Sequence, residues 1–348
     1  MPEYRHDPLT GRMVIIAEER AARPHQFDIT GTDTAGNVSI CPFCEGNESR
    51  TPGELAAFRP AGSPPDTPGW TVRTVPNKYP AVLPGHPSGE AESGSRQEMP
   101  PPAADISFRQ AEGIGLHEVI IDTPRHVFSI SGLTVPETAA MLAMYRQRLA
   151  AARRADTWAY VQIFKNVGAA AGASLPHSHS QLIAMPFIPP SVNRLRREPP
   201  DASCFWCRMV QQELKQKERI VEETEHFTVL CPFVSRFAGE TEIYPKSHES
   251  AFDRTGENTL AELAEVLRRT IQRLEKAVFW MKGSLAYNVI LNTEPLRPGW
   301  TEIYHWHFSV LPSLARAAGF EWGTGLHINP VSPEQAAKRL RGGTENEN

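Results

Sequence analysis

Two histidines one residue apart, His177 and His179, close a stretch of small residues, FKNVGAAAGASLPHSHSQ, that runs from Phe164 to Gln181. The unperturbed pKa of imidazole lies near neutrality, so a neutral ring can attack phosphorus and form a phosphoramidate that a second acceptor displaces. Alternate residues of a strand share a face. His177, His179 and Gln181 are therefore expected to point one way: His177 toward a metal, His179 toward a ligand, and the Gln181 amide toward non-bridging phosphate oxygens. Gly168, Gly172 and Ala173 are small enough to let backbone amides approach a phosphate. Alone, a histidine pair of this spacing is more often a metal site or a satisfied surface pair. Its place after a small-residue loop and inside a repeat sets this one apart.

Four of the five cysteines form two pairs of equal spacing, Cys41 with Cys44 and Cys204 with Cys207, leaving Cys231 over. In a reducing compartment such a gap argues for a metal site or a redox dithiol rather than a structural disulfide. Structural zinc takes four ligands in a tetrahedron, and thiolate with imidazole is a preferred mixture. Cys41, Cys44, His126 and His177 would make one set; Cys204, Cys207, His248 and His305 would make a second. Closed four-ligand sites leave no position for a reacting water, so both metals are expected to be structural.

The grouping of distant histidines with each cysteine pair rests on a repeat. In the first half the pair is followed by TVRTVPNKYPAV, by HEVIIDTPRH ending at His126, by a helix, then by WAYVQIFKN and PHSHSQ. In the second half CFWC is followed by HFTVLCPFVS, by TEIYPKSH ending at His248, by a helix, then by LAYNVILN and YHWHFS. This register pairs His126 with His248 and His177 with His305. Strands are expected at Met13 to Ala17, Thr71 to Val75, His117 to Asp122, Ala159 to Phe164 and Gln181 to Ala184. Helices are expected at Val135 to Ala155, where Thr134 and Glu137 have the form of a capping box with Pro136 in the first turn, and at Leu260 to Trp280. Pro and Gly cluster from Arg59 to Trp70 and from Pro84 to Ala104, which read as exposed loops. The duplication implies an α+β chain of two related domains, each an antiparallel sheet with one main helix, divided near residue 195.

At 348 residues and 40% hydrophobic content the chain can supply a core for each half. A net charge of -4 offers no concentrated basic face for a nucleic acid backbone, so small substrates are expected. Neither a signal peptide nor a membrane span is indicated, and the expected location is cytoplasmic.

From YRHDPLTGRMVI at the start to VSPEQAA near the end, with His177, Ser178, His179, Ser180 and Gln181 between, the chain resembles the galactose-1-phosphate uridylyltransferases. These are a branch of the histidine-triad superfamily with two such folds in one chain. The resemblance implies tandem histidine-triad-like domains, 1–195 and 196–348, and ping-pong chemistry. His179 would take a nucleotidyl group from a nucleotide sugar, release a hexose 1-phosphate, and pass the group on. It places zinc ligands on Cys41, Cys44, His126 and His177, nucleotide contacts on Asn77, Asn166, Gly172 and Ser174, and a partner-reaching arginine on Arg20 or Arg23, hence a homodimer. The stretch matching the hexose-reading segment, GFEWGTGLHINP, contains Gly323 and Thr324, and it has Thr324 and Gly325 where well-known uridylyltransferases have Tyr and Glu. Many members carry Pro and Gly where Ser178 and Ser180 stand here, and Leu195 occupies the position of a second-site glutamate. The CFWC pair resembles instead a subgroup with a second zinc, similar to ADP-glucose phosphorylases.

The leading expectation is transfer of UMP between a nucleoside diphosphate hexose and a hexose 1-phosphate, favoured by family frequency. Adenylyl transfer to phosphate or a sugar 1-phosphate stands close behind. The rivals are a hydrolase, in which water discharges His179, and a non-enzymatic zinc-stabilised nucleotide-binding protein.

Overall fold

A computed structural model of the chain describes residues 3–6, 13–16, 41–84, 113–196, 204–278, 285–314 and 317–342. The first half contributes β1 (Glu3–His6), β2 (Met13–Ile16), β3 (Ala56–Phe58), β4 (Val72–Pro76) and β5 (Leu116–Ile121). Then come α1 (Val135–Ala155), β6 (Tyr160–Val167), β7 (His179–Met185) and the short α2 (Pro190–Asn193). The second half contributes α3 (Phe205–Gln216), β8 (Ile220–Glu223), β9 (Phe227–Leu230), β10 (Thr241–Pro245) and α4 (Glu257–Val278). It ends with β11 (Tyr287–Asn292), β12 (His307–Pro312), α5 (Gly319–Thr324), β13 (His327–Asn329) and α6 (Pro333–Leu340).

Ten of these strands form one sheet in the order β3-β4-β5-β7-β6-β11-β12-β10-β9-β8. Read outward from the β6–β11 junction, the two halves run in the same sequence of positions, β6, β7, β5, β4, β3 against β11, β12, β10, β9, β8. The repeat in the sequence is thus a repeat in the sheet, and the halves meet edge to edge as an antiparallel pair. Pairing the two central edges removes the unpaired backbone groups that each half-sheet would otherwise present. The small second sheet crosses the halves: β13 pairs parallel with β2, which pairs antiparallel with β1.

The helix α1 begins where its sequence says it should. The Thr134 hydroxyl accepts from the Glu137 N–H, and the Glu137 carboxylate accepts from the Thr134 N–H at 2.7 Å, so two orphan donors are satisfied reciprocally. The counterpart α4 starts at Glu257, ahead of the expected Leu260, because the Leu260 N–H closes a turn on the Gly256 carbonyl at 3.0 Å. The expected end at Trp280 lies outside the described residues. The two helices pack against each other, and a single hydrophobic core runs through both halves. Leu142, Leu149, Leu263 and Leu267 are fully buried in it, each worth about 2 kcal/mol of apolar transfer. A fork between Arg153 and Asp253, at 2.7 and 2.8 Å, ties the halves at the end of α1.

The segment from Arg59 to Trp70 is a loop closed by the Arg59 guanidinium on the Thr67 carbonyl at 3.0 Å; it is largely exposed between Pro60 and Gly69, but Trp70, expected to be exposed, is buried beside Cys41 and Cys44 and donates to Glu48. Of the second proline-rich segment, residues 85–104 lie outside the described residues, as do Arg20 and Arg23. Gly168, at the end of β6, has φ +84°, and a Cβ there would stand 2.8 Å from that of Ala286, so only glycine lets the loop leave β6 beside the start of β11.

Candidate active site and metal centres

The period of two on β5, β6, β7 and β11 sorts the site into two faces. Gln181 pairs with Val119 on β5 and with Phe164 on β6, and Asn288 on β11 pairs with Asn166. Cross-strand partners share a face, so His117, Gln181, His179, Asn166 and Asn288 project from one side of the sheet. Residues Asp122, Lys165, Ser178 and Ser180 project from the other, where α1 packs.

On that rear face Lys165 donates to Asp122 at 2.5 Å, to the Ser178 hydroxyl at 2.8 Å and to the His179 carbonyl at 3.0 Å. Ser178 and Ser180 each donate to Asp122 at 3.0 Å, and Tyr145 of α1 bonds Ser180. All five side chains are buried. Ser178 and Ser180 therefore enclose a charged pair behind the strand of His179, a role their sequence positions did not disclose.

On the front face the ring of His179 is fixed by its Nδ1–H, which donates to the His177 carbonyl at 2.7 Å. That assigns the lone pair of a neutral ring to Nε2, which takes no hydrogen bond among the described residues. Phe43 packs against the imidazole at 5.1 Å between ring centres. Burial, and then the neighbouring Lys165 charge, hold the His179 pKa below the ordinary 6.5. His179 begins β7, while His177 lies just before it, yet the alternation carries through: His177 turns to the cysteines and His179 to the front face.

Both expected metal sets assemble. In Cys41, Cys44, His126 and His177, and likewise in Cys204, Cys207, His248 and His305, the ligand atoms all lie within 4.8 Å of one another. Cys44 Sγ is 3.3 Å from His126 Nδ1 and 3.5 Å from His177 Nδ1; Cys207 Sγ is 3.3 Å from both His248 Nδ1 and His305 Nδ1. A tetrahedron of zinc bonds requires sulfur and nitrogen ligands about 3.6 Å apart, so these spacings fit. The far nitrogens support the same reading: Nε2 of His177 faces the Thr123 carbonyl, that of His248 the Thr301 carbonyl, and that of His305 the Pro245 carbonyl, each at 2.9 Å. Each carbonyl takes an N–H and leaves Nδ1 for a metal. Burial and the neighbouring Cys41 push the Cys44 thiol up to about 12. Leu195 packs in the apolar cluster beside Cys204 and Trp206, so it supplies no ligand there.

The remaining expected contacts divide. Asn77 joins the front face, its Nδ2 3.0 Å from His117 Nε2, and His117 Nε2 is 2.9 Å from Gln181 Oε1. Gly172 adopts φ +84°, and a Cβ there would stand 3.7 Å from Asn166 Nδ2. The amides of Ala171, Gly172 and Ala173 bond back to the carbonyls of Gly168 and Ala169, so Gly172 and Ala173 contribute room rather than the expected free amide donors. Ser174 is exposed on the same loop. Gly323 and Thr324 sit exposed on α5, beside the small sheet, where the Thr324 hydroxyl donates to the Phe320 carbonyl at 2.7 Å and so closes its own helix. The sequence reading missed His117, Asp122, Lys165 and Asn288, whose contacts cross strands and carry no local signature.

Residues 1–189 match the family model described as galactose-1-phosphate uridyl transferase, N-terminal domain, more than half of the chain. The chain belongs to that family. Residues 125–344 also match a domain of unknown function. The galactose-1-phosphate uridyl transferase family member described here is 34% identical to ADP-glucose phosphorylase of Arabidopsis thaliana, over 98% of this chain and 92% of that protein. It is 29% identical to galactose-1-phosphate uridylyltransferase of Thermotoga maritima, over 98% of each. The crystal structure of the Arabidopsis ADP-glucose phosphorylase with bound ADP-glucose superposes with a TM-score of 0.77 at 33% identity, covering 98% of this chain and 99% of that one. As a member of this family, the protein is a nucleotidyltransferase. Among the described residues no helix is long and apolar enough to cross a membrane.

Proposed function

We propose that the enzyme moves a nucleoside monophosphate from a nucleoside diphosphate hexose to a phosphate-bearing acceptor through a covalent intermediate on His179, with ADP-glucose as donor and inorganic phosphate as acceptor. The observation that carries the reading is the Nδ1–H bond to the His177 carbonyl, which leaves Nε2 unpaired on the front face. Nε2 attacks the α-phosphorus; an N–P bond forms, the bond to the bridging oxygen breaks, and the hexose 1-phosphate leaves with that oxygen's electron pair. An acceptor oxygen then attacks the same phosphorus and Nε2 departs. While the ring carries the nucleotidyl group it gains positive charge, and the His177 carbonyl, already accepting Nδ1–H, stabilises it. Asn166 and Gln181 supply amide donors to the non-bridging oxygens, and Asn77, Gly172 and Ser174 complete the nucleotide's surroundings.

Zinc is the metal this donor chemistry suits, and at both sites it would hold cysteine pair and histidines together without taking part in transfer. Cys41, Cys44, His126 and His177 would anchor the strand of the nucleophile; Cys204, Cys207, His248 and His305 would anchor α3 to the second half. Two repeat units, 1–195 and 196–348, and a homodimer completed through Arg20 or Arg23 belong to the same proposal.

The higher identity to the plant ADP-glucose phosphorylase supports adenylyl transfer over the uridylyl transfer that family frequency alone favours. Uridylyl transfer to a hexose 1-phosphate is the second reading, supported by the Thermotoga relative that aligns end to end. Incubation with ADP-glucose or UDP-glucose labelled at the α-phosphorus, without acceptor, decides between them. Acid-labile label on the protein from ADP-glucose, discharged by phosphate, is the expected result. Label from UDP-glucose alone establishes the second reading, and nucleotide released by water from unlabelled protein rejects both.

A further inference from the structure

Two phosphate-facing amides, Gln181 and Asn166, can each present either an oxygen or an NH2 group to an anion, and only the NH2 side binds it. Each is bonded from behind by a residue that neither the family match nor the sequence motif assigns. We infer that His117 and Asn288 are positioning residues that lock both amides with nitrogen toward the substrate phosphates. The inference rests on the reading of His179 as the nucleophile and deepens it.

Each lock starts from a backbone group whose polarity cannot reverse. The Ala81 N–H lies 2.9 Å from His117 Nδ1, and a backbone N–H only donates, so Nδ1 must accept and the neutral ring carries its proton on Nε2. Asn77 cannot take that proton through the nitrogen it turns to His117, since its Oδ1 is held by the Tyr79 N–H at 2.8 Å and its Nδ2 is a donor. The acceptor is Gln181 Oε1, 2.9 Å from His117 Nε2. With its oxygen engaged, Gln181 has its NH2 group left for the front face.

The second lock comes from the other half of the chain. Asn288 Nδ2 lies 2.8 Å from the Ala171 carbonyl, which only accepts, so the Asn288 amide is held with its nitrogen on that side. The same nitrogen donates to Asn166 Oδ1 at 2.8 Å. Asn288 and Asn166 are directly opposed across the β6–β11 junction, the pair that joins the halves. Asn166 Nδ2 is thereby turned toward Gly172, where the small-residue loop leaves room. The second half thus completes a site whose nucleophile lies wholly in the first.

The test compares His117→Leu, His117→Gln and Asn288→Asp with the unaltered enzyme, reading the single-turnover rate of His179 labelling at saturating α-labelled donor, with melting temperature and metal content measured alongside. The glutamine nitrogen can reach the place of the imidazole Nε2, leucine has no donor, and aspartate offers an oxygen that turns the Asn166 amide round. H117L and N288D are expected to slow labelling at least about tenfold, the worth of one hydrogen bond to a charged group, and H117Q to stay within about threefold of the parent. H117L and N288D at the parent rate, or H117Q as slow as H117L, overturns the inference while leaving His179 as nucleophile. A parent enzyme that takes no label overturns both. If N288D does not fold, the His117 pair decides alone.

Discussion

The ammonium of Lys165 donates to the backbone carbonyl of His179 at 3.0 Å, from the helix-covered side of the sheet opposite the His179 ring. A buried cation is thus used to hold a strand rather than to meet substrate. Burial drags the Lys165 pKa down, while the Asp122 carboxylate beside it favours the charged form.

Removing one partner of such a buried pair leaves an uncompensated charge. Lys165→Met is expected to cost about 3–5 kcal/mol of stability, and Lys165→Met with Asp122→Asn to recover part of it. Denaturant unfolding of the two variants measures this. A loss below about 1 kcal/mol for the single variant contradicts the network's structural role.

One nucleophile per chain is expected, although His307 is the repeat counterpart of His179. His307 Nδ1 lies 3.0 Å from the His305 carbonyl, repeating the first-half arrangement. Its ring, however, stacks on Tyr244 at 4.8 Å, and Asn292, in the place of Asn166, donates to Ser309, in the place of Gln181, at 3.0 Å. The polar groups of the second copy therefore satisfy one another. Label stoichiometry should reach one per chain, vanish in His179→Ala and persist within about threefold in rate in His307→Ala; two labels per chain contradict this.

The acid limb of the labelling rate should lie below the ordinary imidazole midpoint of 6.5, because burial lowers the His179 pKa. Protonation removes the attacking lone pair, so the rate holds steady as pH falls from about 8 through 6.5 and drops only beneath it. Single-turnover labelling across that range checks the sign; a limb above 6.5 would show that the ring is not desolvated in solution.

The two metal centres should separate by consequence. Elemental analysis is expected to return two zinc ions per chain, with one lost in Cys44→Ala and the other in Cys207→Ala. Each loss should lower the melting temperature by roughly 5–10 °C. Only Cys44→Ala should also abolish labelling, since its thiolate shares His177 with the nucleophile's strand. Equal loss of labelling in Cys207→Ala counts against that division.

Much of this was legible in the chain itself, because its signals are local or repeated. The capping box at Thr134 needs only residues three apart, and the helix it starts runs to Ala155 as its apolar spacing requires. The cysteine pairs found their histidines through the register of the repeat, and alternation along HSHSQ put His177, His179 and Gln181 on one side of the strand. What only the tertiary structure decided involves partners far apart in sequence. The repeats share one sheet through β6 and β11, Ser178 and Ser180 turn to Asp122, His117 meets Gln181, and Asn288 meets Asn166 across the junction. Hydrophobic period and capping chemistry fix which way a residue faces along its own element, but the identity of its neighbour on the next strand depends on register, which long-range packing sets.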